Sequence, residues 1–355
     1  MKYIIIPEQK TIHQLPFYFA VEEYVARKYT NDDYFMAWRV EPTVMLGRNQ
    51  LIENEVNIDY CKRNNIHIFR RKSGGGCIYA DKGCMQFSYI SFAENVNSAF
   101  IEYMKSIAEM IKSLGINTEL SGRNDILVDG KKVAGSAFYR LKGRSVLHNS
   151  LLFSTQLEHL SQALTPGKEK LQSKGVVSVR QRVTNVGTYT TLNIEAFMAY
   201  VRQYMCGNEV LELTPDDMQQ IAEIEKELAS DNFIYGKNPK YTEVRKKRFA
   251  DVGTIQAHIE LKNNKIVNIN LMGDYFLSGD LDNELLNLLH GVDFSREAVA
   301  NAIEGVEMGN VIRNFTTEQF LRLLFGRPPH VMKPDWLKIN LTSKKSSGET
   351  AGILA

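Results

Sequence analysis

The sequence predicts an α+β (α/β) protein with a larger domain followed by a smaller one. Three observations carry this. Apolar stripes at helical spacing alternate with short runs of period two. Two dipeptides, Asp129-Gly130 and Asn263-Asn264, sit between such runs and mark tight hairpins. The chain has 355 residues, more than one ordinary domain, and its pattern breaks up over residues 230–248. The expected division is 1–245, then 246–327, then a tail at 328–355 without pattern.

Taken in order, Phe17, Ala20, Val21, Tyr24 and Val25 recur at helical spacing behind Pro16, giving an amphipathic first helix. Residues 34–40 and 43–46 read as strands joined at Glu41-Pro42 into a hairpin, which Gly47, Arg48, Asn49 and Gln50 close. A long helix over 98–114 buries Phe100, Met104, Ile107, Ala108 and Ile111, with Gly115 as its stop. Strands follow at 125–128, 131–138 and 145–153, then a short helix with Leu157, Leu160 and Leu164. Residues 165–185 are polar and basic, and a loop of that length inside a domain is usually functional or disordered. Helices come next at 194–205 and 215–228, the second with Thr214 as N-cap and Pro215 as first residue. Beyond the break, strands 255–261 and 265–271 flank Asn263-Asn264. Helices over 281–289, 296–303 and 318–325 complete the smaller unit, and Thr316 with Gln319 makes a capping box.

Composition narrows the function classes. A net charge of +2 gives no field for nucleic acid, and no stretch is apolar enough to span a bilayer. The most basic run, residues 237–248, reads as a solvated linker. The four cysteines form no CxxC pair, which suits reduced thiols in a cytoplasm.

The most informative stretch is residues 70–88, RRKSGGGCIYADKGCMQFS. Gly74, Gly75 and Gly76 lack Cβ atoms, so their backbone can enter φ > 0 and lie against a ligand, and successive N–H groups there can cradle an anion. No Gly-Lys-Ser/Thr follows and no helix opens, so it is neither a P-loop nor a dinucleotide fingerprint. The second stretch is residues 122–135, GRNDILVDGKKVAG, where Lys131 and Lys132 point to opposite faces of one strand. One of them faces solvent; the other can neutralise a phosphate and a carboxylate brought together.

These stretches resemble the lipoate–protein ligases. RRKSGGGCIYADKG is similar to that family's lipoate-binding loop, GRNDILVDGKKVAGSA to its catalytic segment, and KLQSKGVVSVRQRVTN to its adenylate-binding loop. WRVEPTVMLGRNQ and FIYGKNP match its early motif and its entry to the accessory domain, with Phe233 in place of Trp. The resemblance runs from about residue 15 to 325. It implies a biotin/lipoate-protein-ligase-like mixed-sheet catalytic domain with a smaller C-terminal domain. It further implies ATP and Mg²⁺ as cofactors, lipoate as substrate, and lipoyl domains of 2-oxoacid dehydrogenase E2 subunits or glycine-cleavage H protein as partners.

By the same resemblance, Trp38, Arg71, Ser73, Gly74, Gly75, Gly76 and His148 bind lipoate. Arg71, Gly76, Cys77, Tyr79, Asn124, Asp125, Lys132, Ala134, Lys174, Gly175, Val177, Ser178 and Arg180 hold ATP or the adenylate. Lys132 is the catalytic residue, and Asp125 is the candidate ligand of Mg²⁺. Ala80 and Cys84 depart from the family's usual His and Asn. Two other readings stay open: an ATP-independent lipoyl or octanoyl transferase using Cys77, and a non-catalytic lipoate-binding module.

Overall fold

The computed structural model describes residues 1–7, 12–93, 95–121, 124–141, 143–165, 182–236 and 241–326. Lys174, Gly175, Val177, Ser178, Arg180 and the expected tail lie outside the described residues. The strands are β1 (Lys2–Ile5), β2 (Tyr34–Trp38), β3 (Thr43–Leu46), β4 (His67–Arg70), β5 (Ile78–Ala80), β6 (Cys84–Ser91) and β7 (Glu119–Ser121). They continue as β8 (Asp125–Val128), β9 (Lys131–Leu141), β10 (Arg144–Leu152), β11 (Val210–Glu212), β12 (Glu243–Phe249), β13 (Gly253–Lys262) and β14 (Lys265–Gly273).

An eight-stranded mixed sheet runs in the order β11-β1-β2-β6-β10-β9-β8-β7. Its β1 pairs are parallel and the rest antiparallel. A second sheet, β4-β3-β5, packs against the same core as the first helix, Leu15–Lys28. The other face of the large sheet packs on helices Val96–Lys112 and Ile194–Cys206. A third sheet, β12-β13-β14, carries its own core with helices Arg296–Ala302 and Thr317–Phe325.

The expected hairpin of residues 34–46 does not form. All five residues of β2 are buried, so it sits inside the large sheet between β1 and β6. After the Glu41-Pro42 turn the chain leaves that sheet, and β3 pairs with β4 and β5 instead. The two dipeptide hairpins do form: Asp129 and Gly130 take φ of 50° and 70°, and Asn263 and Asn264 take 51° and 61°. The basic run is not a linker over its whole length, because β12 covers Glu243–Phe249 and pairs along β13. This strand straddles the expected 245/246 division.

The first helix is more enclosed than its amphipathic pattern implies, with twelve of its fourteen residues buried. It lies between the sheet core and helix Pro215–Leu228, which Thr214 and Asp217 cap as a box. Asp217 fastens the two helices. Its carboxylate accepts from Tyr24 Oη (2.5 Å), Lys28 Nζ (2.6 Å), Tyr29 Oη (2.9 Å) and the Thr214 amide (2.7 Å). Burial alone would raise its pKa, but the hydrogen bonds from Lys28, Tyr24 and Thr214 outweigh this and hold it below the ordinary carboxylate range. Stability from this group is therefore present above the unfolded carboxylate's pKa and lost as pH falls through the folded one. Asp217→Asn should cost about 2 kcal/mol near neutral pH. Urea unfolding across the acid range should show the variant losing stability less steeply than the parent below about pH 4.

Candidate functional site

The glycine loop is held from behind by two buried arginines. Arg71 follows β4 and donates from Nε to Ser73 Oγ (3.0 Å) and from Nη1 to the Met45 carbonyl (3.1 Å). Its Nη2 donates to the carbonyls of Gly74 (2.7 Å) and Gly76 (2.8 Å). Arg70 reaches the other way, to the carbonyls of Gly47 (3.0 Å), Gln50 (2.7 Å) and Ile234 (2.9 Å). Among the described residues neither guanidinium has a carboxylate partner. Burial pushes the Arg71 pKa down to about 10 without removing its charge at neutral pH. The donors of Arg71 thus shape the loop from behind and leave a buried positive charge beside it.

Two of the loop glycines and Gly47 meet close neighbours. Gly75 takes φ of 88°, and a Cβ there would come within 2.8 Å of the Phe276 ring. A Cβ on Gly74 would lie 2.3 Å from the Tyr275 carbonyl oxygen, and one on Gly47 would lie 2.1 Å from that of Gly75. The Gly75 N–H, expected to face an anion, donates to the Tyr275 carbonyl (2.9 Å). Phe276 belongs to the core of the large sheet's second face, 5.6 Å from the Phe138 ring and 6.1 Å from the Phe100 ring. The segment after β14 therefore packs directly on the loop.

Trp38 and His148 come together on the face under the first helix. Trp38 stacks on Tyr18 (4.4 Å) and donates from Nε1 to Ser88 Oγ (2.8 Å). Ser88 Oγ donates to Glu22, and His148 Nδ1 lies 3.1 Å from Glu22 Oε1. His148 also stacks on Tyr139 (5.6 Å). Next to Glu22, Glu23 pairs with Lys72 of the glycine loop, so the first helix ties the loop to this aromatic face. Glu22 and Glu23 were not expected sites: their places in the helical pattern carry no sign of burial.

Lys132 and Asp125 also meet, Nζ to Oδ1 at 2.8 Å. The register shifts between Ile126 and Leu127, so Val133 is an extra residue in β9. Cross-strand partners share a face. Val128, opposite Lys131, packs in the second-face core, as do Val133 and Ala134; Lys132 sits opposite Leu127 with Gly135 beside it. Lys131 is exposed and Lys132 partly buried. A Cβ on Gly135 would meet the Lys132 ammonium at 2.6 Å, so this glycine makes room for it. Asn124 donates from Nδ2 to the Ser136 carbonyl (2.8 Å), and Asn149 donates to Ser136 Oγ (2.9 Å).

The remaining expected residues divide. Gly76 and Cys77 are partly exposed beside Arg71, whereas Tyr79 and Ala134 are core residues that can offer a ligand only their backbone. One residue the sequence reading passed over stands close by. Val183 bridges to Lys132 and the Thr184 amide donates to the Lys132 carbonyl (3.0 Å), which brings Arg182 to the Lys132–Asp125 pair. The RxR spacing of Arg180 and Arg182 was the available signal. Fixed cations, glycine backbone and an adjoining apolar aromatic face together suit an anionic head on an apolar chain.

The Lipoyl protein ligase A/B catalytic domain matches residues 15–206, and the Bacterial lipoate protein ligase C-terminus matches residues 238–324. Lipoate-protein ligase LplJ of Bacillus subtilis is 34% identical over 86% of this chain and 95% of its own length. A P. falciparum protein, LipL1, solved in complex with lipoate, superposes with a TM-score of 0.69 at 19% identity, covering 90% of this chain and 96% of its own. A lipoate-protein ligase A solved bound with ATP superposes at 0.56 with 24% identity, over 66% and 98%. The two structures share the fold; with the two domain matches and the B. subtilis relative, this chain belongs to the lipoate–protein ligase family.

Proposed function

We propose that the chain is an ATP-dependent lipoate–protein ligase that makes lipoyl-AMP and then acylates a lysine of a lipoyl domain. The acceptors would be 2-oxoacid dehydrogenase E2 subunits or glycine-cleavage H protein. The observation that carries this reading is the partly buried Lys132–Asp125 pair beside a glycine that clears space for the ammonium. In the first step a lipoate carboxylate oxygen attacks the α-phosphorus and the bond to the β-phosphate oxygen breaks, releasing pyrophosphate. In the second, the acceptor amine attacks the acyl carbonyl, AMP leaves, and the amine proton passes to solvent.

Each step brings anionic groups together, so the site must supply fixed positive charge. Lys132 bridges the lipoate carboxylate and the α-phosphate, leaving Asp125 as it does so. The loop at Ser73, Gly74, Gly75 and Gly76 lies along the acyl head, with the buried charge of Arg71 behind it. Trp38 and His148 border the apolar chain. Asn124, Cys77, Tyr79 and Ala134 border the nucleotide, the last two through their backbone. Asp125 is the carboxylate for Mg²⁺, and one carboxylate suffices for an ion that rides mainly on substrate phosphates. That ion would neutralise triphosphate charge. Among the described residues no group of three or more His, Cys, Asp or Glu could hold a metal unaided. Among those residues, too, no helix is long and apolar enough to cross a membrane. Among the described residues the four cysteines form no disulfide, which suits a cytoplasmic setting.

The direct test is mass spectrometry of a lipoyl domain incubated with the protein, lipoate and ATP: a lipoyl mass increment requires ATP. Lys132→Ala should lower lipoate-dependent pyrophosphate exchange about a hundredfold or more. Lys131→Ala should leave it near the parent rate, because a solvated charge contributes little. Equal losses in the two would overturn the assignment of Lys132. Cys77→Ala should retain most activity, since the activated acyl group rides on AMP and not on sulfur. A trapped acyl-cysteine with loss of activity would favour the transferase reading.

A further inference from the structure

Arg182 lies in the stretch that resembles the adenylate-binding loop, but no task in either step has been given to it, and its placement asks for one. The bridge from Val183 to Lys132 and the amide of Thr184 on the Lys132 carbonyl fix the backbone next to Arg182 against the strand that carries Lys132. The side chain is partly buried. Its Nε is shielded from solvent with no hydrogen-bond partner. A guanidinium donor left without a partner in a shielded position costs free energy until a ligand satisfies it. Burial lowers the Arg182 pKa and the Asp125 carboxylate raises it, so Arg182 stands on the field of the same carboxylate that pairs with Lys132. Asp125 thus lies under the influence of two cations.

We propose that Arg182 is a phosphate-binding residue of the adenylation step and grips the leaving pyrophosphate portion of ATP while Lys132 serves the α-phosphate. This rests on the ligase reading. The chemistry favours an arginine here. Its planar fork binds two phosphate oxygens at once, and a lysine cannot reproduce that. Two cations flanking one carboxylate match a polyanion that spans both, with the carboxylate freed to a metal ion as the phosphates arrive. Lys132 bonds at the carboxylate and α-phosphate, which leaves the next phosphates of the chain for the second cation.

The experiment compares the parent, Arg182→Gln and Arg182→Lys in two assays. One is lipoate-dependent pyrophosphate exchange over a range of ATP. The other is transfer to a lipoyl domain from chemically prepared lipoyl-AMP, which has no pyrophosphate to hold. Arg182→Gln should raise KM for ATP roughly tenfold or more and weaken inhibition by added pyrophosphate to a similar degree. Arg182→Lys should recover part of each. Transfer from lipoyl-AMP should fall by a clearly smaller factor than exchange in both variants. Equal losses in exchange and in transfer would show that Arg182 supports the local fold and would overturn the proposal. An unchanged KM for ATP with unchanged pyrophosphate inhibition would overturn it too. If the parent protein itself shows no exchange, the ligase reading fails instead, and that outcome is seen before any variant is made.

Discussion

Two buried guanidinium groups hold this protein's site in shape. Arg70 and Arg71 place their N–H groups on carbonyls from four places: β3, the turn after it, the glycine loop, and the short helix Asp231–Tyr235. Such bonds to a charged donor are individually worth about 1.5–3 kcal/mol. Here they close the carbonyl side of the loop, while the Gly75 N–H and the Cα atoms of Gly74 and Gly75 meet the segment Tyr275-Phe276. Among the described residues the two charges meet dipoles and not carboxylates. The loop is thus a rigid positive surface made mostly of uncharged atoms, which suits a ligand whose reacting end is anionic and whose tail is not.

The second constraint comes from the chain's far end. Tyr275 and Phe276 follow β14, yet the carbonyl of one accepts from the Gly75 N–H of the glycine loop and the other fills space in the core of the large sheet's second face. Arg313 completes this contact, its guanidinium 4.7 Å over the Phe100 ring and its amide on the Phe276 carbonyl (3.0 Å). A further bond runs from the Gly273 amide to the Asn49 carbonyl (2.8 Å). The smaller unit is therefore in contact with the loop through backbone, not merely through surface side chains, and the site's outline is drawn by both parts of the chain.

Much of this was legible in the sequence, for identifiable reasons. Hairpin dipeptides, helix caps such as Thr214 and Thr316, and period-3.6 stripes act locally, and local signals survive translation into structure. The glycine loop and the Lys131-Lys132 pair stand out because their residue types are costly anywhere else. What the sequence hid was long-range. Strand partnership decided that β2 and β3 enter different sheets, and alternation alone does not reveal that. Glu22 and Glu23 look like the solvent face of an amphipathic helix until Ser88, His148, Arg27 and Lys72 supply their partners. Arg71 reads as a ligand-facing cation because sequence shows charge but not which acceptors surround it.

The bulge in β9 has a consequence for how this chain can tolerate change. Strict alternation would have placed Lys132 on the same side as Ala134, in the apolar core; the extra residue at Val133 turns it to the opposite side, with Asp125 and Gly135. The parity of the strand, more than its composition, sets where the ammonium points. Removing Val133 would take out the bulge and leave Lys132 opposite Leu127, still on the side of Asp125 and Gly135. A single residue added there beyond the bulge would instead have to be looped out again for that pairing to survive. The hairpin therefore tolerates one residue fewer at this place better than one more, whatever freedom its amino acids enjoy.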